Sequence, residues 1–357
     1  MKFIYELSIL SFLLFVNCRT DTVPCRNPRI WPFISTSIWN TPIGTDAIFH
    51  DPGIFRSPFP LPDNFFADDD YFIVTIDDDP QTPWRDQGWW TEEPHCNIKG
   101  EVVGSIKFPH DLTITQGGNN AAAILQPDNH TILNTQPLYR CTPGGPILSF
   151  FINPHKFDDI VSGHGTWGAH GGSGLSSIGG TIRLGELLPN SPPIRHALKL
   201  QLFALEYYYD QHPGFVWPAS NCDGYAFDQN FTKHYGGKDI YLSPGSLLAI
   251  PSDMTVNVKT VPGEKMLFAL RNYGGYVCDD TFYNRGTVNT EFGVTDEFQI
   301  AYGYSFNSDS KGPGADWYAD MLTLFQSLRV VINNSEQTVG GGGTPLQPPP
   351  PPICPIG

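Results

Sequence analysis

The stretch "HGTWGAHGGSGLSSIGGTIR", residues 164–183, sets His164 and His170 among seven glycines, follows them with three serines and ends on Arg183. Imidazoles ligate metals, activate nucleophiles and carry protons, so the stretch is compatible with three chemistries. As a metal site it is poorly spaced. If extended at about 3.3 Å per residue, the two imidazoles stand roughly 20 Å apart. Gly165 and Gly168 would have to curl the chain, and a third ligand such as Asp223 would have to arrive from elsewhere. No zinc-type spacing is present, so no metal or other cofactor is expected, and a metal-dependent oxidoreductase using these histidines ranks third. As a nucleophile loop it fails too, because Leu175 stands where the G-x-S-x-G elbow around Ser173 needs its last glycine. Proton transfer suits it best. A histidine with its ordinary pKa of about 6.5 gives and takes protons at working pH. Arg183 has the fork geometry to hold a substrate carboxylate, and Tyr225 is available as the partner acid. The competing account is a glycine-rich bend that happens to carry histidines.

"FVWPASNCDGYAF", residues 215–227, places Trp217, Asn221, Asp223 and Tyr225 close together. Flat aromatic faces beside amide and carboxylate groups suit sugar rings, so Trp217, Asn221 and the loop's Trp167 are expected to bind substrate. The plainer account has Trp217 filling the core. Glycoside hydrolysis needs two carboxyl groups, and Glu186, Asp223, Asp279 and Asp280 are the nearest candidates, with Asp223 paired to Glu186 or Asp280. Trp84, Trp89 and Trp90 form a stacking platform if exposed and packing if buried. The triplets Asp68–Asp70 and Asp77–Asp79 lack EF-hand spacing and are expected as solvated strand ends rather than a calcium site. His196 shares a face with Leu198, Leu200 and Leu202, which predicts a satisfied core or rim histidine.

The elements that position these groups are mostly strands. Aromatics at 13%, with 36 glycines and 33 prolines, predict many short strands joined by turns. "YFIVTI" and "SLLAI" read as strands, and "AAAILQPDNHTIL" reads as a hairpin turning at Pro127–Asp128. In "HALKLQLFAL" the leucines share one face while Lys199 and Gln201 share the other. Two short helices are predicted: "GEKMLFALRNYG", capped by Gly274, and the run Trp317, Met321, Leu324, Leu328 behind Asp316 as N-cap. The expected class is mainly β, an antiparallel β-sandwich or jelly-roll-like fold.

Residues 1–18 have the basic start and apolar run of a signal peptide, so a secreted, extracellular protein is expected. A β-rich domain spans 19–339, with a possible sub-boundary near 110, and a Gly/Pro-rich tail spans 340–357. After residue 18 the cysteines are Cys25, Cys96, Cys141, Cys222, Cys278 and Cys354, read as up to three disulfides among fifteen pairings. Sequons at Asn129, Asn230 and Asn333 are candidate glycosylation sites. The net charge of -15 argues against a nucleic-acid partner and against long-range attraction of a polyanion, although a local basic pocket could still hold one. No later stretch is apolar enough to predict a membrane span.

The order "SIWNTPIG", "GGTIRLGEL", "IRHALKLQL", "FVWPA" and "ALRNYGGYVCDD" resembles a loose group of secreted β-rich proteins common in bacteria, over residues 35–281. The chain departs from that group's pattern around His170. The resemblance implies an exported β fold, often beside carbohydrate-related modules, and implies no reaction. The leading expectation is an enzyme that cleaves an extracellular polysaccharide, with a glycan as partner. In its lyase form His170 or His164 removes a proton, Tyr225 protonates the leaving oxygen and Arg183 steadies a carboxylate. In its hydrolase form Asp223 and a second carboxyl act as a pair. The alternative is a non-catalytic matrix or glycan-binding protein.

Overall fold

A computed structural model describes residues 25–88, 95–97, 100–115, 117–152 and 158–355. The strands are β1 (Phe49–His50), β2 (Phe65–Val74), β3 (Gln81–Asp86), β4 (Val102–Lys107), β5 (Ala121–Leu125), β6 (Thr131–Gln136), β7 (Ile147–Ser149), β8 (Phe151–Ile152), β9 (Asp158–Asp159), β10 (Leu198–Leu202), β11 (Leu247–Ala249), β12 (Gly275–Asp280), β13 (Gly286–Glu291) and β14 (Arg329–Val331). The helices are α1 (Ala204–Tyr207), α2 (Val261–Asn272), α3 (Val294–Tyr302) and α4 (Ala315–Ser327). An eleven-stranded sheet runs β1-β14-β11-β12-β10-β13-β2-β5-β6-β8, with β9 also on β6, and a three-stranded sheet runs β4-β3-β7. The protein is β-rich, as its composition predicts.

The pairing corrects the antiparallel expectation. The large sheet is mixed, with β10 parallel to β12, and β2 parallel to both β13 and β5. Parallel neighbours need a crossover. The chain supplies it between β10 and β12 with residues 203–274, which carry β11 and α2, and between β2 and β5 with the β3–β4 hairpin. The predicted β5–β6 hairpin is present, with Leu125 opposite Ile132. Both predicted helices form. Thr260 caps α2 by accepting from the Gly263 amide at 3.1 Å, and Gly274 ends it at a φ of 74°. Asp316 is not the cap of α4. It lies in the first turn behind Gly314 and pairs with Lys259. The helices α1 and α3 are additions that carry no long apolar stripe.

The two faces of the large sheet are covered differently. Leu198, Leu200, Leu202, Val277 and Val288 pack under α2, α3 and α4 with Met266, Phe298, Trp317 and Phe325. Tyr276, Cys278, Leu247, Ala249 and Ala123 pack on the other face under Phe33, Trp39, Leu175 and Ile178. That second cover is irregular chain, residues 31–43 and 160–183, rather than helix. Lys199 and Gln201 therefore do not face solvent; both are buried beneath the glycine-rich segment.

The C-terminal segment is not a free tail. Gly340 and Gly341 are buried, the Leu346 amide donates to the Ile43 carbonyl, and Cys354 is bridged to Cys25. Asn333 clamps it, donating to the Asp46 and Gly341 carbonyls, so both hydrogens of this sequon's amide are in use. The second disulfide is Cys96–Cys141. Cys222 and Cys278 stay thiols, correcting the expectation of a third bridge, because Cys278 sits inside β12 and Cys222 lies in a separate loop. Two disulfides favour an oxidising environment. No helix among the described residues is long and apolar enough to cross a membrane. Protein lacking residues 1–18, denatured without reductant, should release about two titratable thiols, one of them (Cys222) reactive before unfolding; zero thiols would contradict this pairing.

Candidate active site

Four adjacent strands, β12, β10, β13 and β2, each send a polar side chain to the loop-covered face. Strands are read out in alternation, so the leucine face of β10 has its counterpart in Lys199 and Gln201. Lys199 Nζ lies 2.7 Å from Asp70 Oδ2, with both side chains fully buried. Thr181 donates to the same oxygen at 2.5 Å, and Asn289 Nδ2 donates to Asp70 Oδ1 at 3.2 Å. Burial alone would raise the Asp70 pKa; the Lys199 ammonium beside it reverses that, holding it below its ordinary value.

His170 stands on this base. Asn289 Oδ1 accepts from Gln201 at 3.0 Å and from the Cys278 thiol at 3.4 Å, so its amide nitrogen is the atom facing His170 Nε2, at 2.9 Å. Nε2 thus accepts, which leaves the ring proton on Nδ1, and Nδ1 lies 3.6 Å from Asp279 Oδ2. The imidazole is 1% exposed, yet its surroundings are polar rather than hydrocarbon. Glycine is required here. A Cβ on Gly171 would come within 2.9 Å of Asp279, and Gly172 adopts a φ of 64° directly over the carboxyl groups.

Three carboxyl groups crowd beside His170, next to Gly171 and Gly172. Asp280 is fully occupied: it accepts from the Ala204 and Phe282 amides and, at 3.1 Å, from the Tyr225 hydroxyl. Asp223 is half-buried and accepts from Tyr235 at 2.7 Å. A Cβ on Gly172 would sit 3.2 Å from Asp223 Oδ2 and 3.3 Å from Asp279 Oδ1, so those oxygens are no more than about 7 Å apart. Burial pushes the Asp223 carboxyl up to about 7, with the neighbouring Asp280 adding to the rise. Burial, then Asp223 and Asp68, drive Asp279 well above the carboxylate range. Two such groups side by side can supply a proton donor and a proton acceptor near neutral pH.

The structure brings together His170, Asp223, Tyr225, Asp279 and Asp280. The Ser220 amide donates to the Ser173 carbonyl at 2.9 Å, which docks the 215–227 segment against the glycine-rich loop. Other predicted residues fall elsewhere. His164 is exposed, and its carbonyl accepts from Ser37. Arg183 is buried, ion-paired to Glu291 at 2.8 Å and stacked over Phe72, so its guanidinium is already engaged within the protein. Glu186 binds His196 at 3.1 Å and the Arg183 amide, not Asp223. That contact, with a second to the Ala197 carbonyl, makes His196 the satisfied histidine its pattern predicts. Trp217 and Trp167 are half-buried, with Trp217 packed on the core, while Asn221 is exposed. Trp84 is core, and Trp89 and Trp90, like residues 1–18, lie outside the described residues. Asn129 and Asn230 lie at turns, with Asn129 held by Arg29. Among the described residues no group of three or more histidine, cysteine or carboxylate side chains is arranged to hold a metal ion.

Lys199, Gln201 and Asn289 are not among the sequence's candidates, and Asp68 and Asp70 are weighed there only as part of a calcium site. Asp68–Asp70 lie inside β2, paired with Asn289–Glu291, instead of at a solvated end. The signal was available: charged and amide residues alternating with leucine or aromatics inside strand-length runs.

No protein-family model matches this chain, and neither curated proteins nor solved structures give a match.

Lys199→Met should cost about 3–5 kcal/mol of unfolding free energy by stranding Asp70, and Lys199→Met with Asp70→Leu should recover most of it; denaturant unfolding of the three proteins checks this. For Asp223 the folded chain keeps a proton that an unfolded aspartate releases near pH 3.9. The folded state therefore binds more protons between about pH 4 and 7, and stability falls as pH rises through that window. Asp223→Asn should gain on the native chain in Tm from pH 4 to pH 8; parallel melting curves would contradict the shift.

Proposed function

We propose that this chain is an exported enzyme that hydrolyses an extracellular polysaccharide, with Asp223 and Asp279 as the catalytic pair. The observation that carries the reading is the placement of two raised carboxyl groups beside Gly172, with facing oxygens no more than about 7 Å apart. Asp279, held highest, keeps its proton and acts as general acid on the glycosidic oxygen. Asp223, ionising at about 7, activates water or attacks the anomeric carbon. As Asp279 gives up its proton, charge develops 3.6 Å from His170 Nδ1, a buried ring nitrogen with no hydrogen-bond partner of its own, which can close on the carboxylate as a donor. Tyr225 orients Asp280, the residue next to the acid. The limit of about 7 Å includes the retaining separation of about 5–5.5 Å and only the lowest part of the inverting range of about 6.5–9.5 Å, so the retaining geometry fits better.

The lyase version of this reading is weaker. It assigned the substrate carboxylate to Arg183, whose guanidinium already faces Glu291, and it drew on His164, which is exposed and forms no hydrogen bond or ion pair with Asp223, Asp279 or Asp280. Export is supported by the disulfides Cys25–Cys354 and Cys96–Cys141, and the likeness in motif order to secreted β-rich proteins points the same way.

A polysaccharide panel read for both reducing ends and ultraviolet absorbance tests the proposal. Reducing ends should appear without the absorbance of unsaturated uronate. Asp279→Asn and Asp223→Asn should each lower the rate about 10²–10⁴-fold while the fold is retained. Absorbing products, or full activity in both variants, would reject the assignment.

A further inference from the structure

The turn that follows the acid pair collects cations, and nothing in the hydrolytic reading uses them. Residues 281–285 join β12 to β13 immediately after Asp279–Asp280. Tyr283, 55% exposed, is the centre of the cluster. Lys233 Nζ lies 3.8 Å from its ring centroid and 3.9 Å from that of Phe282, and the Arg285 guanidinium lies 5.1 Å from the Tyr283 centroid. Two positive charges thus share one aromatic ring.

Neither cation is held in an ion pair, although Lys233 is near enough to Asp280 to offset part of the rise in that carboxyl's pKa. Among the described residues neither Lys233 nor Arg285 forms an ion pair with a carboxylate, whereas Arg183, Lys199, Lys238 and Lys259 each do. Lys233 is instead aimed by a backbone oxygen: its ammonium donates to the Phe282 carbonyl at 2.6 Å. Phe282 adopts a φ of 59°, a left-handed conformation that is costly for a bulky side chain and persists only where its surroundings enforce it. Its amide is held by Asp280 Oδ1 at 2.9 Å. One strained residue therefore ties the carboxyl cluster to the ammonium. In a chain of net charge -15, two unpaired cations beside the carboxyl groups make a local positive site in a negative field.

We propose that Lys233 and Arg285 form an anion subsite beside the acid pair, which selects polysaccharides bearing carboxylate or sulfate groups. The assignment rests on the glycan reading above and narrows it to acidic glycans. Each cation offers a charge-assisted hydrogen bond to the sugar's anion, and Arg285 can do so with two parallel donors. The net negative charge of the rest of the chain then disfavours polyanions everywhere except at this turn.

The test is binding rather than turnover, so it separates from the catalytic claim. Full-length Asp223→Asn protein is run through affinity gels holding polygalacturonate, chondroitin sulfate or a neutral glucan. Retardation by at least one acidic polymer, weakened by salt, is expected, with none by the glucan. Retention by polygalacturonate alone names a carboxylate as the ligand, and by chondroitin sulfate alone a sulfate. Adding Lys233→Gln or Arg285→Gln should weaken binding about tenfold or more each, and Arg285→Lys should retain most of it, with unchanged melting temperatures. Equal retardation of the Gln variants and their parent, or no retardation by either acidic polymer, would overturn the subsite. Binding without any cleavage by the native chain would keep the subsite and reject the hydrolase.

Discussion

The buried Lys199–Asp70 pair is the constraint on which the rest of the site depends. Two opposite charges removed from water are stable only if their remaining hydrogen-bonding capacity is met inside the protein. Here Thr181 and Asn289 serve Asp70, and Lys199 donates to the Ser176 carbonyl at 3.2 Å. Those partners are not local. Ser176 and Thr181 belong to the glycine-rich segment, Asn289 to β13 and Asp70 to β2. The pair thus pins an irregular loop onto the sheet at the point where no helix covers it, and Asn289, held by the same pair, sets the orientation of His170.

Above this base the chain tolerates unfavourable electrostatics. Asp223, Asp279 and Asp280 crowd together, and burial drives each of them upward. Such an arrangement lowers stability at neutral pH. The two apolar cores on either side of the sheet offset it, and the backbone amides and tyrosine hydroxyls around the carboxyl groups limit it. Local strain retained against the interest of stability is characteristic of sites kept for function. Gly171 and Gly172 contribute by absence, since any side chain there would fill the space between the carboxyl groups.

Much of the fold was legible in the sequence. The alternation in "HALKLQLFAL", the turn at Pro127–Asp128 and the apolar spacing of both main helices each report a local period, and local periods survive folding. Parallel pairing was not legible, because it depends on crossovers that join β10 to β12 over more than seventy residues. The site divides in the same way. His170, Asp223 and Tyr225 stood out by type and neighbourhood. Arg183 and Glu186 stood out equally, but each meets a partner, Glu291 and His196, that no spacing rule connects to it. Lys199 was hidden by an ordinary inference, that the polar face of an alternating strand meets water. In this sheet the second face is covered by loop, and the polar face is buried beneath it.

The account turns on Asp223 and Asp279 holding protons where ordinary carboxylates have lost them. Carboxyl carbon NMR of aspartate-labelled protein across pH 3–10 tests that most directly. Two aspartate signals should still be titrating at or above about pH 7, one of them absent in Asp223→Asn and the other in Asp279→Asn. Titration of every aspartate below about pH 5 would contradict the account.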